Sequence, residues 1–186
     1  MSKIGRKPIS IVGLNVDIKE QNIHYKGANA SGVHHVPAEL NVTTQDNKLY
    51  ISIKAKDDMS QKELSSANRL WGLHRALLAN ELGGAVREFE KVIEINGLGY
   101  KAALAGKKMI FTLGYSHKIE KDIPVGIAVD IDKSGQKVTV RSSDKLLAGQ
   151  FCSEIKALRL PEPYKGKGIK LQNEVIIRKT AGKGKK

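Results

Sequence analysis

Apolar and polar positions alternate in KLYISIK (48–54), where Leu49, Ile51 and Ile53 fall on one face. That period of two predicts a half-buried strand, and NVTTQ before it predicts a partner strand folded back at Asp46-Asn47. The period then changes. In SQKELSSANRLWGLHRALLANELGG (60–84), Leu64, Ala67, Leu70, Trp71, His74, Leu77 and Leu78 recur at helical spacing. Ser60 with Glu63 makes a capping box at the start, and Gly83-Gly84 predicts the stop. Downstream, EKVIEING, KKMIFTLGY, GIAVDID and KVTVR are expected strands. SDKLLAGQFCSEIKALRLP is a second helix capped by Ser143 or Asp144 and closed by Pro161, and EVIIR (174–178) is expected as the last strand.

The two helical stretches align. SANRLWGLHRAL (66–77) lies on LAGQFCSEIKAL (147–158) at a constant offset of 81, and Lys48-Leu49 faces Lys137-Val138 upstream. Two copies of one strands-then-helix module are therefore expected. Strands gathered ahead of a helix, without strict alternation, predict an α+β fold: two similar domains, each a mainly antiparallel sheet on one long helix. The expected domains are 1–82, with a basic N-terminal arm, and 83–186, with a basic extension over 161–186.

Composition narrows the class. Of 186 residues, 40% are hydrophobic and 27% charged, a globular balance. No apolar run approaches the roughly 20 residues that span a bilayer, and MSKIGRKPIS has no hydrophobic signal core, so a cytoplasmic chain is expected. The single cysteine, Cys152, excludes an internal disulfide and reads as a small buried helix residue.

Charge changes the picture more. Thirty-two basic side chains against 19 acidic ones leave a net charge of +13. Residues 165–186 hold eight basic residues against Glu174 alone, and residues 1–7 add Lys3, Arg6 and Lys7 against none. Basic ends on a near-neutral body are expected to meet a polyanion.

Catalytic readings fail on context. Gly97-Leu98-Gly99-Tyr100-Lys101-Ala102 fits G-x-G-x-x-[GA] after a strand, but AALAG leaves no length for the helix that would receive a pyrophosphate. Gly106-Lys107 lacks the spacing and the hydroxyl of a phosphate-binding loop. His34 and His35 point to opposite faces of an extended chain, His24 and His74 are strand and helix-face residues, and His117 lies in a turn. No nucleophile elbow occurs. Neither enzyme activity, cofactor nor metal is expected.

PEPYKGKGIK (161–170) is the strongest candidate for binding. Pro161 and Pro163 stop the helix and are expected to send the chain outward in extended form. Lys165 and Lys167 would then project to one side, with Gly166 and Gly168 allowing the backbone close to a sugar–phosphate chain. Tyr164 could stack on a base or donate to a phosphate.

These residues resemble a family. Pro161-Glu162-Pro163-Tyr164-Lys165-Gly166-Lys167-Gly168-Ile169 is similar to the C-terminal signature of large-subunit ribosomal protein six of the bacterial type. SKIGRKPI (2–9), RALLAN (75–80), GLGYKA (97–102) and LGYSH (113–117) match the same family in order, over essentially the whole chain. The resemblance implies two duplicated α+β domains and binding to large-subunit rRNA, near the base of the stalk that recruits translational GTPases and near the sarcin–ricin loop. It implies neighbouring ribosomal proteins as partners and one copy per ribosome, without homo-oligomers or membrane. On it Tyr164, Lys165, Gly166, Lys167, Gly168 and Lys170 are the leading rRNA contacts. Lys179, Lys183, Lys185 and Lys186 extend the arm, and Lys3, Arg6 and Lys7 add to it. Gly97, Gly99, Tyr100, Lys101, Tyr115, Ser116, His117 and Lys118 are weaker candidates. The family's Gly-Pro-Lys-Gly loop is replaced by Gly27-Ala28-Asn29-Ala30-Ser31-Gly32, without its lysine. A free RNA chaperone or regulator is the alternative.

Overall fold

The turn at Asp46-Asn47 is present in the computed structural model, which describes residues 2–54 and 60–179. Asp46 and Asn47 take φ of 49° and 55°. Two successive left-handed residues match the right-handed twist of a tight hairpin, and Asp and Asn tolerate that region. The hairpin joins β5 (Leu40–Gln45) to β6 (Lys48–Ile53), and β1 (Ile9–Ser10) pairs with the other edge of β6. A second sheet, in the order β2 (Asn15–Lys19), β3 (Asn22–Lys26), β4 (Ser31–His35), completes the strands of the first unit.

Helix α1 (Gln61–Val86) begins with the expected box: the Glu63 N–H donates to Ser60 Oγ and the Ser60 N–H donates to Glu63 Oε2 at 2.9 Å. Ala67 is buried, and Trp71, Leu78 and Leu82 form one core cluster with Ile9, Leu49 and Ile51. Trp71 Nε1 donates to the Ile51 carbonyl at 2.6 Å, which satisfies the indole's one polar atom inside the core. Leu77, expected on the apolar face, is exposed.

The helix does not stop at Gly83-Gly84. It continues to Val86 because its terminal carbonyls have partners: the Asn29 N–H donates to Ala85 O and Asn29 Nδ2 donates to Val86 O, each at 3.0 Å. The loop over 27–32 is thus the cap of α1.

The second unit repeats the plan. β7 (Phe89–Asn96) stands where β1 stands. A three-stranded sheet follows, β8 (Lys101–Ala105), β9 (Lys108–Thr112) and β10 (Ile119–Asp122), then β11 (Ala128–Ile131), β12 (Lys137–Ser142) and α2 (Lys145–Leu158). The sheet order β1-β6-β5 recurs as β7-β12-β11. The offset of 81 superposes buried positions: Ala67 on Ala148, Trp71 on Cys152. Of the two expected caps, Asp144 closes α2, its carboxylate accepting from the Leu146 and Leu147 N–H groups. Cys152 is buried among Phe151, Ile155, Val138 and Ile93, and burial raises its thiol pKa. The chain divides into compact units Met1–Glu88 and Phe89–Lys186.

One element has no counterpart among the described residues of the first unit. β13 (Gly168–Leu171) adds to the free edge of β7 with Gly168 opposite Asn96 and Ile169 opposite Ile95. EVIIR, expected as the last strand, pairs with no strand; Val175 and Ile177 lie exposed and irregular. No helix among the described residues is long and apolar enough to cross a membrane.

Candidate nucleic-acid interface

The expected outward ribbon at 161–170 is instead a closed loop feeding a strand. The Glu162 N–H donates to Lys167 O at 2.8 Å, and the Gly166 N–H donates to Glu162 O at 3.0 Å. Gly166 takes φ of +70° and Gly168 +132°, regions that an L side chain rarely adopts. A side chain at Gly168 would strike the backbone of Leu160 and Pro161, and one at Gly166 would meet the Arg178 guanidinium. The two buried glycines therefore serve the chain's own packing. Lys165, Lys167 and Tyr164 remain exposed on the loop.

Antiparallel pairing then brings distant segments together. The Gly97 turn leaves β7 at the end where the Lys165–Lys167 loop enters β13, because Gly168 faces Asn96. Between them lies an open concavity of about 640 Å³, lined by Gly97, Leu98, Gly99, Lys165, Lys167 and Arg178 among others. Among the described residues no carboxylate lies within salt-bridge reach of Lys165, Lys167 or Arg178. Lys170 differs: its Nζ is 3.0 Å from Glu94 Oε2, and the two side chains are only 24% and 23% exposed. It is an internal ion pair of the sheet.

The Gly97 turn is closed by the Tyr100 N–H donating to Gly97 O at 3.2 Å, and strand β8 follows it directly, so no helix N-terminus faces the glycines. The Tyr100 ring packs on both Gly97 and Gly114. It thereby joins this turn to the LGYSH bend, where the Tyr115 hydroxyl donates to Leu158 O at 3.1 Å. Arg159 lies 4.9 Å over the Tyr115 ring and His117 stacks beside it at 6.3 Å. Ser116, Lys118 and Lys101 are exposed around this cluster. The weaker candidates and the leading ones therefore occupy the same unit, linked through Tyr100.

The N-terminal basic residues are not a free arm. Gly5 packs against the Trp71 ring, and Arg75 donates to Lys7 O and Pro8 O at 3.0 Å each, holding the segment on α1 while Lys3, Arg6 and Lys7 stay exposed. At the other end, the Lys179 N–H donates to Pro163 O at 2.9 Å, and Lys183, Lys185 and Lys186 lie outside the described residues. Glu174 fastens this segment further: it accepts from Lys156 Nζ at 2.6 Å, and that hydrogen bond lowers its pKa.

Arg178 and Arg159 were not among the expected contacts. Arg159 follows a helix end, a place where cations recur, so a signal existed for it. Nothing local marks Arg178, whose reach back to Gly166 depends on the turn after β13.

Comparison with known proteins agrees with this plan. The family model for ribosomal protein L6 matches residues 96–171, the span from the end of β7 to β13. The chain is 41% identical to large ribosomal subunit protein uL6 of Campylobacter jejuni, with 100% of both chains covered. It is 40% identical to that of Lachnoclostridium phytofermentans, again over 100% of each, and 38% identical to that of Methylobacterium nodulans, over 98% of this chain and 99% of the other. Likeness of that extent over both units makes the chain a member of the ribosomal protein L6 family, a structural protein and not an enzyme.

Proposed function

We propose that the protein is a structural constituent of the large ribosomal subunit that grips large-subunit rRNA with the cationic concavity of its second unit, near the base of the factor-recruiting stalk and the sarcin–ricin region. One observation carries the reading: the Gly168–Asn96 register gathers Lys165, Lys167 and Arg178 around the Gly97 turn with no carboxylate on any of the three among the described residues. Unpaired cations on a fixed frame release counterions from phosphates, and the frame spares the ordering entropy that a loose tail would lose. Elsewhere in the same unit, Tyr164 and the Tyr115–His117 cluster offer exposed rings for unstacked bases.

Binding of the full chain to purified large-subunit rRNA across a potassium chloride series tests this. Lys165→Gln with Lys167→Gln should flatten the log–log salt dependence by roughly one unit per lost phosphate contact. An unchanged slope would sink the concavity as the grip. Sucrose-gradient fractionation of lysate separates the alternative: association with large subunits is expected, whereas a mainly free pool would mark a chaperone or regulator.

A further inference from the structure

Leu98 is 96% exposed at the tip of the turn between β7 and β8, on the rim of the cationic concavity. It contributes nothing to holding that turn. Gly97 and Gly99 supply the positive φ values of 153° and 74°, the Tyr100 ring covers Gly97, and the Tyr100 N–H closes the loop. The glycines on either side carry no side chain, so the leucine stands alone as a narrow apolar projection.

Its surroundings select the partner. A protein interface buries apolar residues in a core depleted of charge. Leu98 instead has Lys165, Lys167 and Arg178 lining the same hollow, and the carboxylate there, Glu94, is held by Lys170. A solitary apolar tip among unpaired cations suits a nucleic acid, whose grooves place sugars and base edges between two rows of phosphate. The minor groove of an RNA helix is wide and shallow, open to a tip without bulk beside it.

We propose that Leu98 is an apolar tooth that seats in the minor groove of a helical rRNA segment and packs on its riboses, while Lys165 and Lys167 hold the flanking phosphates. The inference rests on the rRNA-binding reading and adds a contact that salt does not govern.

The full-length Leu98→Ala protein, bound to purified large-subunit rRNA over a potassium chloride series, tests it. Affinity should fall about tenfold at every salt concentration with the log–log slope unchanged, and Leu98→Met should recover most of the loss. Thermal unfolding should match the parent, since the side chain is already in water. Hydroxyl-radical footprinting should show paired-region riboses losing protection in Leu98→Ala. Parental affinity for Leu98→Ala, with a flattened slope for the Lys165 and Lys167 variant, would overturn the tooth and leave the cationic grip standing. A slope change in Leu98→Ala, or protection lost only at unpaired nucleotides, would also overturn it. Parental binding by both variants would remove the grip and the tooth together.

Discussion

Gly168 stands opposite Asn96 across the last strand pair, and its missing side chain is what lets the chain turn under Leu160 and Pro161 to reach that position. Gly168→Ala meets both a backbone overlap and a left-handed φ, the latter alone costing about 1–3 kcal/mol. Urea unfolding of the second unit should shift by at least that amount. rRNA binding should fall with it, because the Lys165–Lys167 loop loses its anchor; full affinity in the variant would show that the loop does not depend on β13.

The lysines of this loop are not equivalent. Lys165→Gln should flatten the salt dependence of rRNA binding by roughly one unit, and Lys170→Gln by well under one, because Glu94 already neutralises Lys170. Glu94→Gln should steepen it by releasing that charge. Equal slopes for the Lys165 and Lys170 variants would contradict the pairing.

Asn29 caps α1 from a loop more than 50 residues upstream. Asn29→Ala removes the side-chain bond to Val86 O and should cost about 0.5–1.5 kcal/mol. The single tryptophan, Trp71, sits in the core of the first unit, so its fluorescence reads that loss in urea without interference from the second.

His74 joins a half-buried chain of polar groups centred on the buried His34: His34 Nδ1 lies 2.9 Å from Glu81 Oε1, and His34 Nε2 lies 3.1 Å from His74 Nδ1. Burial first, then the charges of His34 and His35, depress the His74 pKa, against a smaller opposing pull from Glu81. The unfolded chain therefore binds more protons than the folded one below the ordinary histidine value of about 6.5, and stability should decline as pH falls through that value. The Trp71 urea midpoint followed from neutral pH to about pH 5 should drop, and His74→Gln should lessen the drop. A midpoint independent of pH would show that the network carries no linked proton.

What could be read from the chain was what neighbours in sequence decide. Asp46-Asn47 and the Ser60–Glu63 box need only residues within a few positions, and both formed as their chemistry dictates. The 81-residue offset survived because both helices bury the same face. What pairing across the fold decides was not legible. Gly83-Gly84 has every mark of a stop, yet Asn29 supplies the missing donors from elsewhere. Val175-Ile176-Ile177 is a strand by composition and yet pairs with no strand, while Gly168–Leu171 is the segment that joins the edge of β7. The same pairing turned an expected loose ribbon into a fixed loop and placed Lys170 beside Glu94, a pairing that no local pattern announces.

β13 also sets a clock. Translation delivers residues in chain order, so β7 waits with an open edge until Gly168–Leu171 emerge, after everything else in its sheet. A nascent chain cut short before that point has neither the strand nor Lys165 and Lys167 in place. On the proposed function, competence to hold rRNA would thereby be withheld from unfinished copies, and assembly would select completed molecules with no separate inspector.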